Sequence, residues 1–297
     1  KYCEDNNFEI TILSDHAIET IGTTPYYATP FGIISRIENM QKFTLDGSKM
    51  RRLRYQVSKF EKAGTCKTVE YANGTDTETD KNIVALIDEW CAPRTMVNQL
   101  IHIVKEEIRL GKLSKEHRLF LTYLDDVLQN AILISSLSAE MNGYLMDLEF
   151  YPSSMLLGGL EYGIVKMMET LAAEGADMLS LGGTYGCKLE ESKNADPELN
   201  KTLDFLRENK IFNDEGNLQF KNKFRPNHQT IFICRPQAIS NADNVTDIIM
   251  MIADPSKMEA AVAEGTTYTE LSLKMPVRTG ETVKESITKV STETASE

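Results

Sequence analysis

"DLEFYPSSMLLGGLEYGIVKMMETLAAEGADMLSLGG", residues 147–183, divides by its own chemistry into a strand, a polar turn, a helix and a second strand. DLEFY is short and apolar, and Pro152, Ser153 and Ser154 break it. From Gly158 the apolar residues recur at helical spacing until Gly175, and MLSLG resumes as a strand. On the helix, Leu160, Ile164, Met167 and Leu171 form one stripe and Glu161, Val165, Met168 and Ala172 the next, so Glu161 sits at the edge of the buried face in the first turn. Three uses of this unit stay open. Gly158 and Gly159 would let backbone amides approach an anion at the helix start, or simply turn the chain. Glu161, favoured there by the helix dipole, would hold an amine or take a proton, or be an ordinary first-turn acid. The pair Met167 and Met168 reads as core filling.

Outward from this unit the strands multiply. RLFLTYLD (118–125), QNAILISSLS (129–138) and YLMDLEFY (144–151) are short apolar runs suited to a meander, and QTIFICR (229–235) closes the sheet. Nearer the start, FEITILSD (8–15) and FGIISRI (31–37) are strands separated by the turn-rich TTPYYATP, and CKTVEYA (66–72) is another. TDTETDKN (75–82) reads as a polar link. Helices are expected over 83–91, over 96–109 with Val97, Leu100, Ile101, Val104 and Ile108 on one face, and over 197–210. Helical material continues up to residue 265, and a Thr-, Ser- and Glu-rich tail follows over 266–297.

Two clusters of positive charge stand out against a net charge of -12. In TLDGSKMRRLRYQVSKFEKAG (44–64), Asp46 or Ser48 is placed to cap a helix, Gly64 to end it, and Met50, Leu53, Val57 and Phe60 to face the core. Lys49, Arg51, Arg52, Arg54, Lys59 and Lys62 occupy its other faces against the single acid Glu61, a surface suited to phosphate or nucleic acid and equally to plain solvation. In QFKNKFRPNHQ (219–229) the alternation of Phe220 and Phe224 with Lys221, Lys223 and Arg225 predicts an extended segment with aromatics inward and cations outward.

Composition removes other classes. At 297 residues, 41% of them hydrophobic, the chain is long enough for one large or two smaller globular domains. Five scattered cysteines make no CxxC pair and no apolar run is long enough to span a bilayer, so a reduced cytosolic protein is expected, with a peripheral place at the membrane left open. Four histidines show no metal-ligand spacing, and neither a G-x-S-x-G nor a phosphate-loop motif is present; no metal is expected. The chain opens at Lys1 without Met and reads as an excised domain.

Taken in order, LDGSKMRRLRYQVSKFEKAG (45–64), IDEWC (87–91), DLEFYPSSMLLGGLEYGIVK (147–166), ADMLSLGGTYG (176–186) and GNLQFKNKFRP (216–226) resemble the catalytic domain of the phosphatidylglycerol lysyltransferase family, GNAT-like aminoacyl-tRNA-dependent acyltransferases. The last segment carries the most specific likeness. There are departures: residues 98–115 stand in for a family segment, Gly183, Thr184 and Tyr185 replace Met, Ala and Pro, and Asn227 and His228 follow Pro226 where the family has a residue and Trp.

The resemblance implies an α/β (α+β) fold, a mixed and mainly antiparallel sheet flanked by helices. It would comprise a partial first GNAT-like half (1–92), a helical connector (93–117), a complete catalytic half (118–265) and the tail. It implies an acyltransferase that takes an aminoacyl group from tRNA, as co-substrate and with no tightly bound cofactor, to a small-molecule, peptide or lipid acceptor. Glu161 falls where the family has an Asp that holds the donor's amine, with Tyr162 and Tyr185 as candidates for a proton relay. Asp147, Gly158, Gly159, Lys221, Lys223, Phe224, Arg225 and His228 would surround the substrate, and Lys49, Arg51, Arg52, Arg54 and Lys59 would meet phosphate or tRNA. Since the donor is already an activated ester, positioning and one proton acceptor can suffice, and Cys/His or Ser/His pairing is not required. The rivals are an acyl-CoA-dependent N-acyltransferase and a non-catalytic GNAT-like binding module of a larger assembly.

Overall fold

Among the described residues nine strands join in one sheet because the apolar runs supply two buried faces. The computed structural model describes residues 5–6, 10–94, 97, 100–208 and 215–238. Its strands are β1 (Ile12–Ser14), β2 (Thr20–Ile21), β3 (Thr24–Glu38), β4 (Cys66–Tyr71), β5 (His117–Leu124), β6 (Val127–Ser136), β7 (Gly143–Phe150), β8 (Met178–Tyr185) and β9 (Asn227–Pro236). The helices are α1 (Arg51–Glu61), α2 (Thr77–Cys91), α3 (Leu100–Arg109), α4 (Gly159–Ala173), α5 (Pro197–Glu208) and α6 (Glu215–Lys221), with 3-10 turns at Met40–Lys42 and Asn222–Phe224. The sheet order is β1-β9-β3-β8-β7-β6-β5-β4, with β2 paired to β3 off this path. Every pairing is antiparallel except β7 with β8, which the crossover helix α4 makes parallel.

Each face of the sheet has its own helical layer, which is why the central strands read as nearly continuous apolar runs. Phe120, Ile132, Ile134 and Met146 pack beneath α1 and α4 against Leu53, Val57, Phe60, Ile164 and Leu171. Leu119, Leu121, Ala131 and Leu133 pack on the other face against Ile83 and Ile87 of α2 and Ile101, Val104 and Ile108 of α3. Leu100, placed by spacing on that buried stripe, is 58% exposed at the start of α3. The expected boundary between residues 92 and 93 and the expected connector 93–117 fall inside this second layer. Across that boundary, β4 is hydrogen-bonded to β5.

Four local expectations differ from the structure. TTPYYATP is not a turn but the first half of β3. Tyr26 and Ala28 are buried against β9, and Pro30 is tolerated because it stands at the β3–β9 register shift between Pro30 and Gly32, before the β3–β8 pairs begin at Gly32. The polar link 75–82 starts α2, since the Asp76 carboxylate accepts from the backbone N–H groups of Glu78 and Thr79. The segment 219–224 is helical rather than extended: Phe220 and Phe224 stand four residues apart and meet edge to face at 5.6 Å, a helical neighbour contact. Neither Asp46 nor Ser48 caps α1 through its side chain, although Met50, Leu53, Val57 and Phe60 are buried as expected. The helical material expected up to 265 and the tail over 266–297 lie outside the described residues from 239 onward. Among the described residues no helix is long and apolar enough to cross a membrane.

Candidate functional site: a wedge between two strands

β7 and β8 pair only from Gly143–Met178 to Leu145–Ser180. Beyond those pairs the strands carry no mutual ladder, and a wedge opens toward their C-terminal ends, the side on which α4 begins. Gly182, at φ 76, bends β8 at its mouth. A Cβ there would lie 3.6 Å from the Met146 carbonyl oxygen and 4.0 Å from Lys221 Nζ, so the ammonium of Lys221 lies against β8 at the mouth of the wedge. It donates to the carbonyls of Gly182 (3.2 Å) and Gly183 (2.8 Å) and to the Thr184 hydroxyl (3.0 Å). Lys221 is only 4% exposed. The helical turn therefore overturns the alternation expected of this segment, because it sends one cation inward with the aromatics.

Glu161, in the first turn of α4, is 4% exposed, and its Oε1 accepts from Lys223 Nζ at 2.6 Å. Lys223 also lies over the Phe220 ring at 4.8 Å. The structure thus brings together Glu161, Lys221, Lys223 and Phe224, the last buried at 1%. His228, on β9, joins this group: its Nδ1 is 3.0 Å from Ser35 Oγ and its Nε2 2.7 Å from Asn222 Oδ1. Burial and then the positive charge of Lys221 hold its pKa below the usual histidine value, which leaves the ring neutral at pH 7.

Sequence reading passed over Glu149. Leu133 pairs with Leu148 and Ile134 with Met146, so Asp147 is the extra residue of a β-bulge. The bulge reverses the in-and-out alternation of β7. Glu149 lands opposite Ile132, whose side chain belongs to the core beneath α4, and so faces the α4 side. Burial pushes its carboxyl up to about 7, against the pull of Lys221 and Arg94. Asp147 looks toward Ser135 and His117 instead; burial raises its pKa and a hydrogen bond from Ser135 pulls it down. It stands apart from Lys221 and Glu161. No periodicity could have marked Glu149, since only the bulge decides its side.

Other expected site residues lie elsewhere. Tyr162 points into the core, packed on Phe60 at 5.3 Å between ring centroids, with its pKa raised by burial. Tyr185 is 41% exposed and stacks on Phe31 at 5.0 Å. The double glycine answers to packing: a Cβ on Gly158 would sit 2.0 Å from the Gln56 carbonyl oxygen of α1, and one on Gly159 3.0 Å from Phe60. Those glycines let α4 start directly against α1, with the Gln56 carbonyl where a Gly158 side chain would be.

Arg51, Arg52 and Lys59 of α1 turn outward, whereas the half-buried Arg54 donates to the backbone carbonyls of Leu45 and Gly47. No acid occupies its first turn. A cavity of about 510 Å³ is lined by Arg51, Arg54, Tyr55, Ser58, Lys59 and Lys62. A second, of about 580 Å³, lies around the head of α1 and includes Arg36, Lys42, Lys49 and Arg225 in its lining, with Glu38 and Asp46. Arg225 holds a left-handed backbone (φ 54) and donates from Nε to the Lys49 carbonyl at 3.2 Å, which ties the two basic segments of the sequence together. Arg52 is exposed on the same helix.

A family described as phosphatidylglycerol lysyltransferase, C-terminal, matches residues 36–235. L-PGS from Bacillus licheniformis shares the fold at TM-score 0.61 with 14% identity, over 85% of this chain and 75% of that one. The C-terminal domain (DUF2156) of an Agrobacterium fabrum protein described as a lysylphosphatidylglycerol synthetase does so at 0.59 with 13% identity, over the same shares. A conserved protein of unknown function from Bacteroides thetaiotaomicron VPI-5482 follows at 0.52 with 8% identity, over 80% and 72%. Comparison with curated protein sequences gives no match. At such identities the structures speak for the fold, and the fold is the mixed, mainly antiparallel sheet flanked by helices that the resemblance implied.

Proposed function

We propose, from the premise that this chain belongs to the phosphatidylglycerol lysyltransferase C-terminal family, a family of acyltransferases, that it moves an aminoacyl group from aminoacyl-tRNA to a lipid, small-molecule or peptide acceptor. The observation that carries the donor half of this reading is the strip of cation-lined cavities along α1, from Lys42, Lys49 and Arg225 at its head to Lys59 and Lys62 at its end. On a chain of net charge -12, cations so concentrated favour a phosphate backbone. The buried carboxylate of Glu161 supports it, because it already holds one ammonium, that of Lys223, where the resemblance puts the donor's amine. A donor amine would take the place of Lys223. The tRNA ester is reactive by itself, so the protein's task is to hold donor and acceptor in line inside the wedge. An acyl-CoA donor would ask for a glycine-rich phosphate loop at the head of α4, and residues 152–159, PSSMLLGG, do not carry the Arg/Gln-x-x-Gly-x-Gly/Ala pattern of one.

The test is direct. The protein is incubated with tRNAs charged with radiolabelled amino acids, and separately with acetyl-CoA, in the presence of phosphatidylglycerol vesicles or an amine-bearing peptide. Label is expected to leave tRNA for an acceptor while acetyl-CoA releases no thiol. Thiol release without label transfer would move the reading to acyl-CoA. Binding of neither tRNA nor CoA at low salt would leave a non-catalytic module.

A further inference from the structure

Acyl transfer needs a group that accepts the nucleophile's proton, and the side chains around the wedge differ in whether they are free to do so. Glu161 is held by Lys223. Both ring nitrogens of His228 are engaged, by Ser35 and by Asn222. Asp147 is turned by the bulge toward Ser135 and His117, and Tyr162 is packed into the core on Phe60. Glu149 lies four residues past Leu145, the last β7 residue paired with β8, and faces the α4 side of the sheet. The Lys221 ammonium stands in the same wedge and acts on it electrostatically, as does Arg94 from the end of α2. Among the described residues no hydrogen bond and no ion pair within 4.0 Å engages its carboxylate.

The geometry points to Glu149 as the proton acceptor of the transfer step, a role that rests on the aminoacyl-transfer reading above. The acceptor's hydroxyl or neutral amine gives its proton to the Glu149 carboxylate as its oxygen or nitrogen bonds to the aminoacyl carbonyl carbon. The bond from that carbon to the 3′-oxygen of the tRNA then breaks, and the proton passes from Glu149 to the departing oxygen. One ester or amide is made, one ester is broken, and no oxidant or reductant is used. A carboxyl that burial brings to about 7 is near the value at which it can both take and return a proton at neutral pH.

The experiment compares wild type, Glu149→Gln and Glu149→Asp in single-turnover transfer from radiolabelled aminoacyl-tRNA to phosphatidylglycerol vesicles over pH 5.5–9. A second arm titrates the Glu149 carboxyl by NMR in protein labelled with 13C at glutamate side-chain carboxyls, assigned by its loss in Glu149→Gln. Glu149→Gln is expected to lower the transfer rate by about a hundredfold or more, leave tRNA affinity within twofold, and abolish a wild-type rate limb near pH 7. Glu149→Asp should keep that limb with a reduced rate. Wild-type transfer that Glu149→Gln matches, or a carboxyl that titrates at the ordinary value near 4.5, overturns this role alone. Absence of transfer by wild type from any aminoacyl-tRNA overturns the underlying reading with it.

Discussion

A carboxylate withdrawn from solvent beside cations can be stable and chemically poised at once, and the buried Glu161 and the half-buried Glu149 divide these tasks. Glu161 is neutralised by a 2.6 Å bond to Lys223. Replacing it with Gln keeps shape and removes charge. For a charge-assisted hydrogen bond of about 1.5–3 kcal/mol, the donor KM should rise tenfold or more with a smaller change in kcat, measured by steady-state transfer from aminoacyl-tRNA. An unchanged KM would return Glu161 to structure alone. Glu149 makes a prediction about stability. Its pKa rises from 4.5 unfolded to about 7 folded, so between those values the native chain holds a proton that the unfolded chain has lost. Stability contributed by this group is therefore fully present below pH 4.5 and lost as pH rises through about 7, a change on the order of 3 kcal/mol. Urea denaturation of wild type and Glu149→Gln at pH 5 and pH 8 checks it: the difference between them should shift in favour of the variant at the higher pH. Of this site the sequence displayed Glu161, Lys221 and Lys223 one by one. It could not display the Glu161–Lys223 pair, 62 residues apart, nor the turn that sends Lys221 inward.

At the scale of elements, the contact of α1 with α4 is what the double glycine secures. Gly158 has φ 98 and Gln56 stands over it, so Gly158→Ala adds both strain and a clash, expected to cost about 3 kcal/mol or more. Gly175 has nearly the same backbone, φ 95, but nothing within 4 Å of a Cβ, so Gly175→Ala should cost only about 1–2 kcal/mol. Equal losses in urea denaturation would show that strain alone matters and that the helices do not meet closely at Gly158. The crossover unit was legible because strand, turn and helix each had their own signal in residues 147–183. Two elements were not. β3 hides its first half behind Pro25 and Pro30, which speak for a turn unless pairing geometry is known. The segment 219–224 fits a period of two as well as a helix, since a spacing of four residues satisfies both. The bulge at Asp147 had no sequence signal at all, yet it chooses which carboxylate faces the wedge.

Over the whole molecule, charge is distributed against its own sum. The chain carries -12, yet α1 and the 3-10 turn beside it present cations from Arg225 and Lys49 to Lys62 along one side. A partner attracted by net charge would be cationic; one attracted by this strip would be anionic and elongated. The two cases separate by salt. Binding through Z phosphates releases counterions, so the affinity falls with a slope of about -0.7 to -0.9 per contact in a plot of log K against log salt. Changing both Arg51 and Arg52 to Ala removes two exposed cations from the surface of α1, which keeps its buried stripe of Leu53, Val57 and Phe60. Fluorescence titration with aminoacyl-tRNA from 50 to 300 mM salt should then show weaker binding and a slope shallower by about 1.5, with the urea midpoint unchanged. Substituting Lys188 and Lys193, outside the strip, should leave the slope as in wild type. If the Arg51 and Arg52 variant kept the wild-type slope, tRNA would not run along α1, and the donor would have to approach the wedge from another side.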